Sequence, residues 1–403
     1  VSTRTLTDAR PRLRGDLLLS APLQRGPGTV YLVKDPCSGR AFEIAQREHF
    51  LITRLDGARS LAQIGAEYAA AFGRRLGDGH WEQLLWLLHG RQLLAGGPVA
   101  VADPEQVGRI HRFRLVRDAA AVVDRVHGWV RLAIRGPVVL AVALACAAML
   151  AVLGLHVGEL VDGFLGLGGQ PGAIVAVFAL VWVSAALHEL AHGVSARHFG
   201  CTVSGISMLT LSCTVDNLLY LQSRRRQAAI AASGALVNAA YLLPFAAAWL
   251  LLPEQSAVRA PLAGFLLVGA VQSLVNLIPL APLDGYRMLS YALRVTNLSG
   301  ESRRFLQLSL WRLFGRGPGV AGYPYRAKVT YVSYGLWSAA VILLVGTGLT
   351  LICYSPLADH FGTSAAVIPG LIVVLTLAGW LARPSRIQAP QATASVRGEA
   401  KDR

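Results

Sequence analysis

The feature that most constrains this chain is a cluster of ionisable side chains written into an apolar helix. Residues 173–187 carry no charge, and His188-Glu189-Leu-Ala-His192 follows at once. A run of that kind reads as part of a membrane-crossing helix, where an ionisable group costs about 2.5–3.5 kcal/mol on insertion scales. Three such groups together need compensation. The i, i+4 spacing puts His188 and His192 on one face, one turn apart, where two imidazole nitrogens can converge on one metal ion. Glu189 lies beside them, placed to take a proton from water as a general base. Satisfied core histidines are the bland alternative; they explain one such group better than three.

Composition extends this reading to the whole chain. With 54% hydrophobic and 15% charged residues over 403 positions, the expected fold class is a polytopic α-helical membrane protein carrying a small N-terminal α+β winged-helix-like cytoplasmic domain. Apolar runs place about six transmembrane helices, near 137–153, 172–194, 228–252, 262–280, 331–353 and 365–381. No leader is expected ahead of the first run. The net charge of +15 would suggest nucleic acid in a soluble protein. Its placement argues otherwise. Basic residues gather before the first span, at Arg224-Arg225-Arg226, between 287 and 328 and in the tail, whereas 155–170 and 355–364 contain no Lys or Arg. That alternation follows the positive-inside rule and puts both termini in the cytoplasm, with anionic lipid, not nucleic acid, as the partner of the excess charge. The five cysteines show no CxxC spacing, so neither a disulfide framework nor a cysteine zinc site is indicated.

Four domains are expected: a recognition domain over 1–97, a basic amphipathic connector over 98–135, a membrane domain over 136–383 and a disordered tail over 384–403. In the first, residues 29–34 and 40–44 are β-prone runs joined by the Asp35-Pro-Cys-Ser-Gly39 turn, which predicts a hairpin. Three helices follow. The second is marked by a Ser60/Gln63 capping box and by Leu61, Ile64, Tyr68 and Phe72 on one face; Trp81, Leu84, Leu85 and Leu88 mark the third. Such a module binds either DNA or a peptide added along the hairpin edge. The connector carries Arg109, Arg112, Arg114, Arg117, Arg125, Arg131 and Arg135 among Phe113, Val122, Val123 and Trp129. It reads as a helix on the inner membrane face or as a solvated link. The loop with Arg303, Arg304, Trp311, Arg312 and Phe314 is a second candidate for that surface. Residues 202–215 are polar and β-prone. They form either a strand at the mouth of the site, able to hold an extended substrate, or a surface loop.

A second stretch completes the first. In Asn276-Leu-Ile-Pro279-Leu-Ala-Pro282-Leu283-Asp284-Gly285, the prolines end a helix and Asp-Gly makes a turn. Charge distribution also places Asp284 at the same membrane depth as His188 and His192. Catalytic zinc needs a third protein ligand, and a carboxylate can supply it.

These paired motifs resemble those of the site-2 protease family of intramembrane zinc metalloproteases, over about residues 171–287. The resemblance implies one zinc ion held by His188, His192 and Asp284, Glu189 as the catalytic residue, and Asn276 near the substrate or oxyanion. Asn238 is a further substrate-binding candidate, although Gly234-Ala235 stands where relatives often have Gly-Pro. Residues 11–94 resemble PqqD-like leader-peptide recognition domains, on the strand at 31–34, the turn at 35–39, Leu55-Asp56-Gly57 and the helix start at Ser60. Together the two resemblances imply a membrane-embedded zinc endopeptidase that matures a ribosomally made, modified peptide. The alternatives are a regulated intramembrane protease releasing a signalling factor from a transmembrane substrate, and a non-catalytic export or immunity component.

Overall fold

The computed structural model describes residues 6–96, 119–207, 212–313, 315, 320–361 and scattered positions from 368 to 379. The chain divides into two compact units, Val1–Asp103 with Arg294–Arg403, and Pro104–Leu293.

In the first unit the hairpin forms where the β-prone runs place it. Strand β3 (Gly28–Lys34) pairs antiparallel with β4 (Ala41–Ala45), and on its other side with the short β1 (Leu18–Leu19) and β2 (Leu23–Arg25). The connecting turn is held by Asp35, whose buried carboxylate accepts from Ser38 Oγ at 2.7 Å, Arg14 Nη2 at 2.9 Å and the Cys37 amide at 3.0 Å. Three helices follow: α1 (Gln46–Ile52), α2 (Leu61–Phe72) and α3 (Asp78–Gly90). Both halves of the Ser60/Gln63 capping box are present, and Gly73 closes α2 in the left-handed conformation that a side chain disfavours. Leu61, Ile64, Tyr68, Trp81 and Leu88 pack with Val33, Phe42 and Ile44 into one core.

The second unit is mostly helical: α4 (Ala119–Val130), α5 (Gly136–Leu155), α6 (Val157–Gly166), α7 (Pro171–His198), a hairpin of β5 (Thr202–Ser207) and β6 (Ser212–Asp216), then α8 (Arg224–Leu251), α9 (Arg259–Val275) and α10 (Asp284–Leu293). Proline in the first turn of α5 and α7 suits a position whose amide has no intrahelical partner. Two expectations change here. The span expected over 262–280 is a helix of only 17 residues ending at Val275, because the chain then turns through Pro279 and Pro282. The connector's apolar face is covered by protein: Val123, Val126 and Val130 of α4 join Val194, Ala196, Ile206 and Ile230, while Trp129 is left exposed.

The first unit resumes with α11 (Leu298–Leu313) and α12 (Tyr325–Phe361). The residues leading into α11 extend the front sheet. The Gln24 amide donates to the Arg294 carbonyl at 2.7 Å, and the Thr296 amide donates back to the Gln24 carbonyl at 3.1 Å, so residues 294–296 run parallel to β2. Tyr331 of α12 donates its hydroxyl to the Gly26 carbonyl at 3.3 Å. Among the described residues four helices are long and apolar enough to cross a membrane: Gly136–Leu155, Pro171–His198, Arg224–Leu251 and Tyr325–Ile352. The span expected over 365–381 lies largely outside the described residues, and the tail, Arg109 to Arg117, Phe314 and residues 208–211 lie wholly outside them.

Burial pushes the Asp35 carboxyl up, and the bonds from Ser38, Cys37 and Arg14 outweigh it, holding the group below the usual carboxylate range. A folded-state value below the unfolded one of about 3.9 means that its stabilisation is complete above that pH and is lost as pH falls through the folded value. Asp35→Ala removes the buried acceptor of the Ser38, Cys37 and Arg14 bonds, leaving Arg14 only Asp16 and the Gln92 carbonyl, and should cost about 3 kcal/mol. Hydrogen exchange at the β3 and β4 amides of the full chain should then accelerate by roughly 100-fold.

Candidate metal centre

The centre is built where α7, α8 and the start of α10 meet inside the second unit. His188 and His192 are buried, at 7% and 5% exposure, on the α7 face toward α8. Their rings stand nearly perpendicular, at 86°, which lets both Nε2 atoms point at one place; these nitrogens are 3.1 Å apart. Asp284, also 5% exposed, brings Oδ2 to 2.8 Å from His188 Nε2 and 3.2 Å from His192 Nε2.

His192 Nδ1 lies 2.8 Å from the Ile230 carbonyl, which can only accept, so Nδ1 carries the proton and Nε2 can present a lone pair. A lone pair on Nε2 would face a carboxylate oxygen across hydrogen-bond distance, and such a gathering needs a cation, proton or metal, at its middle. Two nitrogens on a tetrahedral zinc ion, at about 2.0–2.1 Å each, stand about 3.4 Å apart, so each edge of the observed triangle is shorter than a coordination face by roughly 0.2–0.6 Å. The donor set of two imidazoles and one carboxylate, with a position left for water, suits catalytic zinc. These three residues can hold a metal ion by proximity of their ligand atoms. One part departs from the usual pattern: His188 Nδ1 is buried with no hydrogen-bond partner among the described residues, where a ligating histidine normally donates to an outer group.

Two glycines make the geometry. A Cβ at Gly234 of α8 would sit 2.6 Å from His188 Nε2 and 2.7 Å from His192 Nε2, so only a residue without a side chain lets α8 lie against both rings. A Cβ at Gly285 would lie 2.2 Å from the Leu277 carbonyl oxygen. The Gly285 amide instead donates to the Asn276 carbonyl at 2.8 Å, fastening the first turn of α10 onto the irregular stretch after α9 and aiming Asp284 inward. Burial raises the Asp284 carboxyl, yet its bonds to His188 and His192 prevail and keep it below the ordinary carboxylate range.

The other candidates are placed differently. Glu189 is half-buried, next to His188 in sequence and outside the ligand triangle. Asn276 enters through its backbone carbonyl. Asn238, fully buried, accepts from Ser184 Oγ at 3.2 Å across the α7–α8 contact, one turn along each helix from His188 and Gly234, and its Nδ2 has no partner among the described residues. The β5–β6 hairpin lies against α7: a Cβ at Gly193 would meet Ile206 at 3.3 Å and Cys213 at 3.4 Å. Burial, with Glu189 nearby, pushes the Cys213 thiol up to about 12, and Cys213 lies outside the group formed by His188, His192 and Asp284. The sequence marks Gly234 only through the Gly234-Ala235 pair; the Gly-x-x-x-Asn spacing on α8 is the further signal it offers. Arg287, one turn into α10 with Nη1 3.5 Å from Asp284 Oδ1, was not singled out for the site.

Comparison with protein-family models, curated proteins and solved structures returned no match to this chain.

Gly234→Ala should weaken zinc binding by about 10–100-fold, the range seen when groups supporting metal ligands are disturbed. Bound zinc in the purified full chain checks this, with Leu236→Ala, on the opposite face of α8 from Gly234, as the neighbouring control expected to bind normally.

Proposed function

We propose that this chain is a membrane-embedded zinc endopeptidase. The observation that carries the reading is the convergence of His188, His192 and Asp284, drawn from stretches nearly a hundred residues apart, on one buried point beside Glu189. Zinc bound by these three residues would supply Lewis acidity toward a peptide carbonyl and an attacking water. Glu189 takes the proton from that water and passes it to the leaving amine. His192 is held in one tautomer by the Ile230 carbonyl, so its Nε2 stays available to the metal, and Asp284 serves as an ionised ligand. Burial of the three ligands excludes bulk water and strengthens these electrostatic contacts.

The four long apolar helices support residence in a membrane. The charge alternation supports about six spans with both termini cytoplasmic, and α9 is a candidate for one of the shorter crossings. On this reading the centre lies toward the cytoplasmic end of α7, within reach of a peptide.

The substrate class is read from the front of the chain. A sheet followed by three helices supports a PqqD-like recognition domain, and β4, which pairs with β3 alone among the described strands, leaves an edge to which a leader peptide can add. On this reading the front domain grips the leader of a ribosomally made precursor and the membrane domain cuts it.

Glu189→Gln should retain zinc while peptide cleavage falls by about 10²–10⁴-fold. New N-termini mapped in membranes carrying the wild-type chain, and absent with the variant, are the expected result. The same termini appearing at the same rate with Glu189→Gln would overturn the proposal.

A further inference from the structure

A second pair of histidines lies outside the centre. His127, near the end of α4, brings Nε2 to 3.4 Å from Nδ1 of His198, in the last turn of α7. The rings are 5.6 Å apart and inclined at 56°. His127 is half-buried and His198 exposed, so this pair is open to ions in solution where the first is enclosed.

The pairing is fixed by the packing around it. Val123, Val126 and Val130 of α4 sit in the cluster formed with Val194, Ala196 and Ile206, and Arg197 pairs with Asp124 one turn from His127. Neither helix has to move to keep the two imidazoles facing. At 3.4 Å a direct hydrogen bond between the two rings is a long one, beyond the ~2.7–3.2 Å usual for protein N–H···O bonds. Two nitrogens bound at about 2.0–2.1 Å to one tetrahedral ion stand about 3.4 Å apart.

We propose that His127 and His198 form a second, solvent-accessible site for a divalent transition metal of the zinc class. Imidazole is a good ligand for such ions. Two protein ligands plus water bind more weakly than three, and Asp124, one turn from His127, is already paired with Arg197. Occupancy therefore follows the metal supply. Its effect is mechanical: the ion would tie α4 to the end of α7, about 9 Å along the helix from His192. Val123 of the same helix already presses on that region, 3.2 Å from where a Gly193 Cβ would stand. The site is independent of any reaction at the first centre.

The full chain in detergent, dialysed to equilibrium against increasing zinc, tests this. The wild type should take up a tight equivalent and then a weaker one. His127→Gln and His198→Gln should each lose the weaker one and keep the tight one, whereas the His188→Gln/His192→Gln double variant should do the reverse. Hydrogen exchange of the α4 amides should slow on zinc addition in the wild type only, and match between wild type and the two surface variants without zinc. Undiminished weak binding in both single variants, or α4 exchange that ignores zinc, would overturn the proposal whatever the buried centre does.

Discussion

Everything at the candidate centre depends on how closely α8 lies against α7. Two imidazoles on adjacent turns of one helix define a line, and a helix crossing that line with any side chain at the crossing would push the rings apart. Gly234 removes the obstacle, and the Ile230 carbonyl, one turn earlier on the same helix, then reaches His192 Nδ1. One close approach thus performs two tasks: it seats the rings, and it decides which nitrogen of His192 is free to bind. The third ligand is delivered by other means. Asp284 opens a helix whose first turn is pinned by the Gly285 amide to the Asn276 carbonyl, so a break in the helical run aims the carboxylate.

This arrangement is expensive in the absence of a cation. Two buried imidazoles and a buried carboxylate repay their desolvation only when charge is balanced among them. The unpartnered Nδ1 of His188 and Nδ2 of Asn238 sharpen the point, since each is a buried polar atom whose lost hydration no protein group replaces among the described residues. Metal affinity and local stability are therefore linked, and the region around α7 and α8 should be better ordered with metal than without it.

Much of this was legible locally. The i, i+4 histidines, the proline-broken stretch before Asp284 and the Ser60/Gln63 capping box are short-range patterns whose geometry follows from backbone periodicity alone. What escaped sequence reasoning depends on partners distant in sequence. An amphipathic period says that α4 has an apolar face but not whether lipid or protein covers it, and here Val123 turns to protein. The demand for glycine at position 234 comes from rings 42 and 46 residues upstream, at His192 and His188. Hydropathy overran the end of α9, because residues 276–280 remain apolar enough to extend a window that the backbone has already left.

The strand pairing at Gln24 has a consequence in time. An open sheet edge is a template for association with other chains, and residues 294–296 close the one presented by β2. The bond from Thr296 to Gln24 spans 272 positions of sequence. At about 5–20 residues per second, the ribosome needs roughly 15–50 s to make that length. For that interval the front sheet can be folded around its own core and still lack its border. The edge must meanwhile stay open or be held by another chain, whose release would coincide with the arrival of residues 294–296.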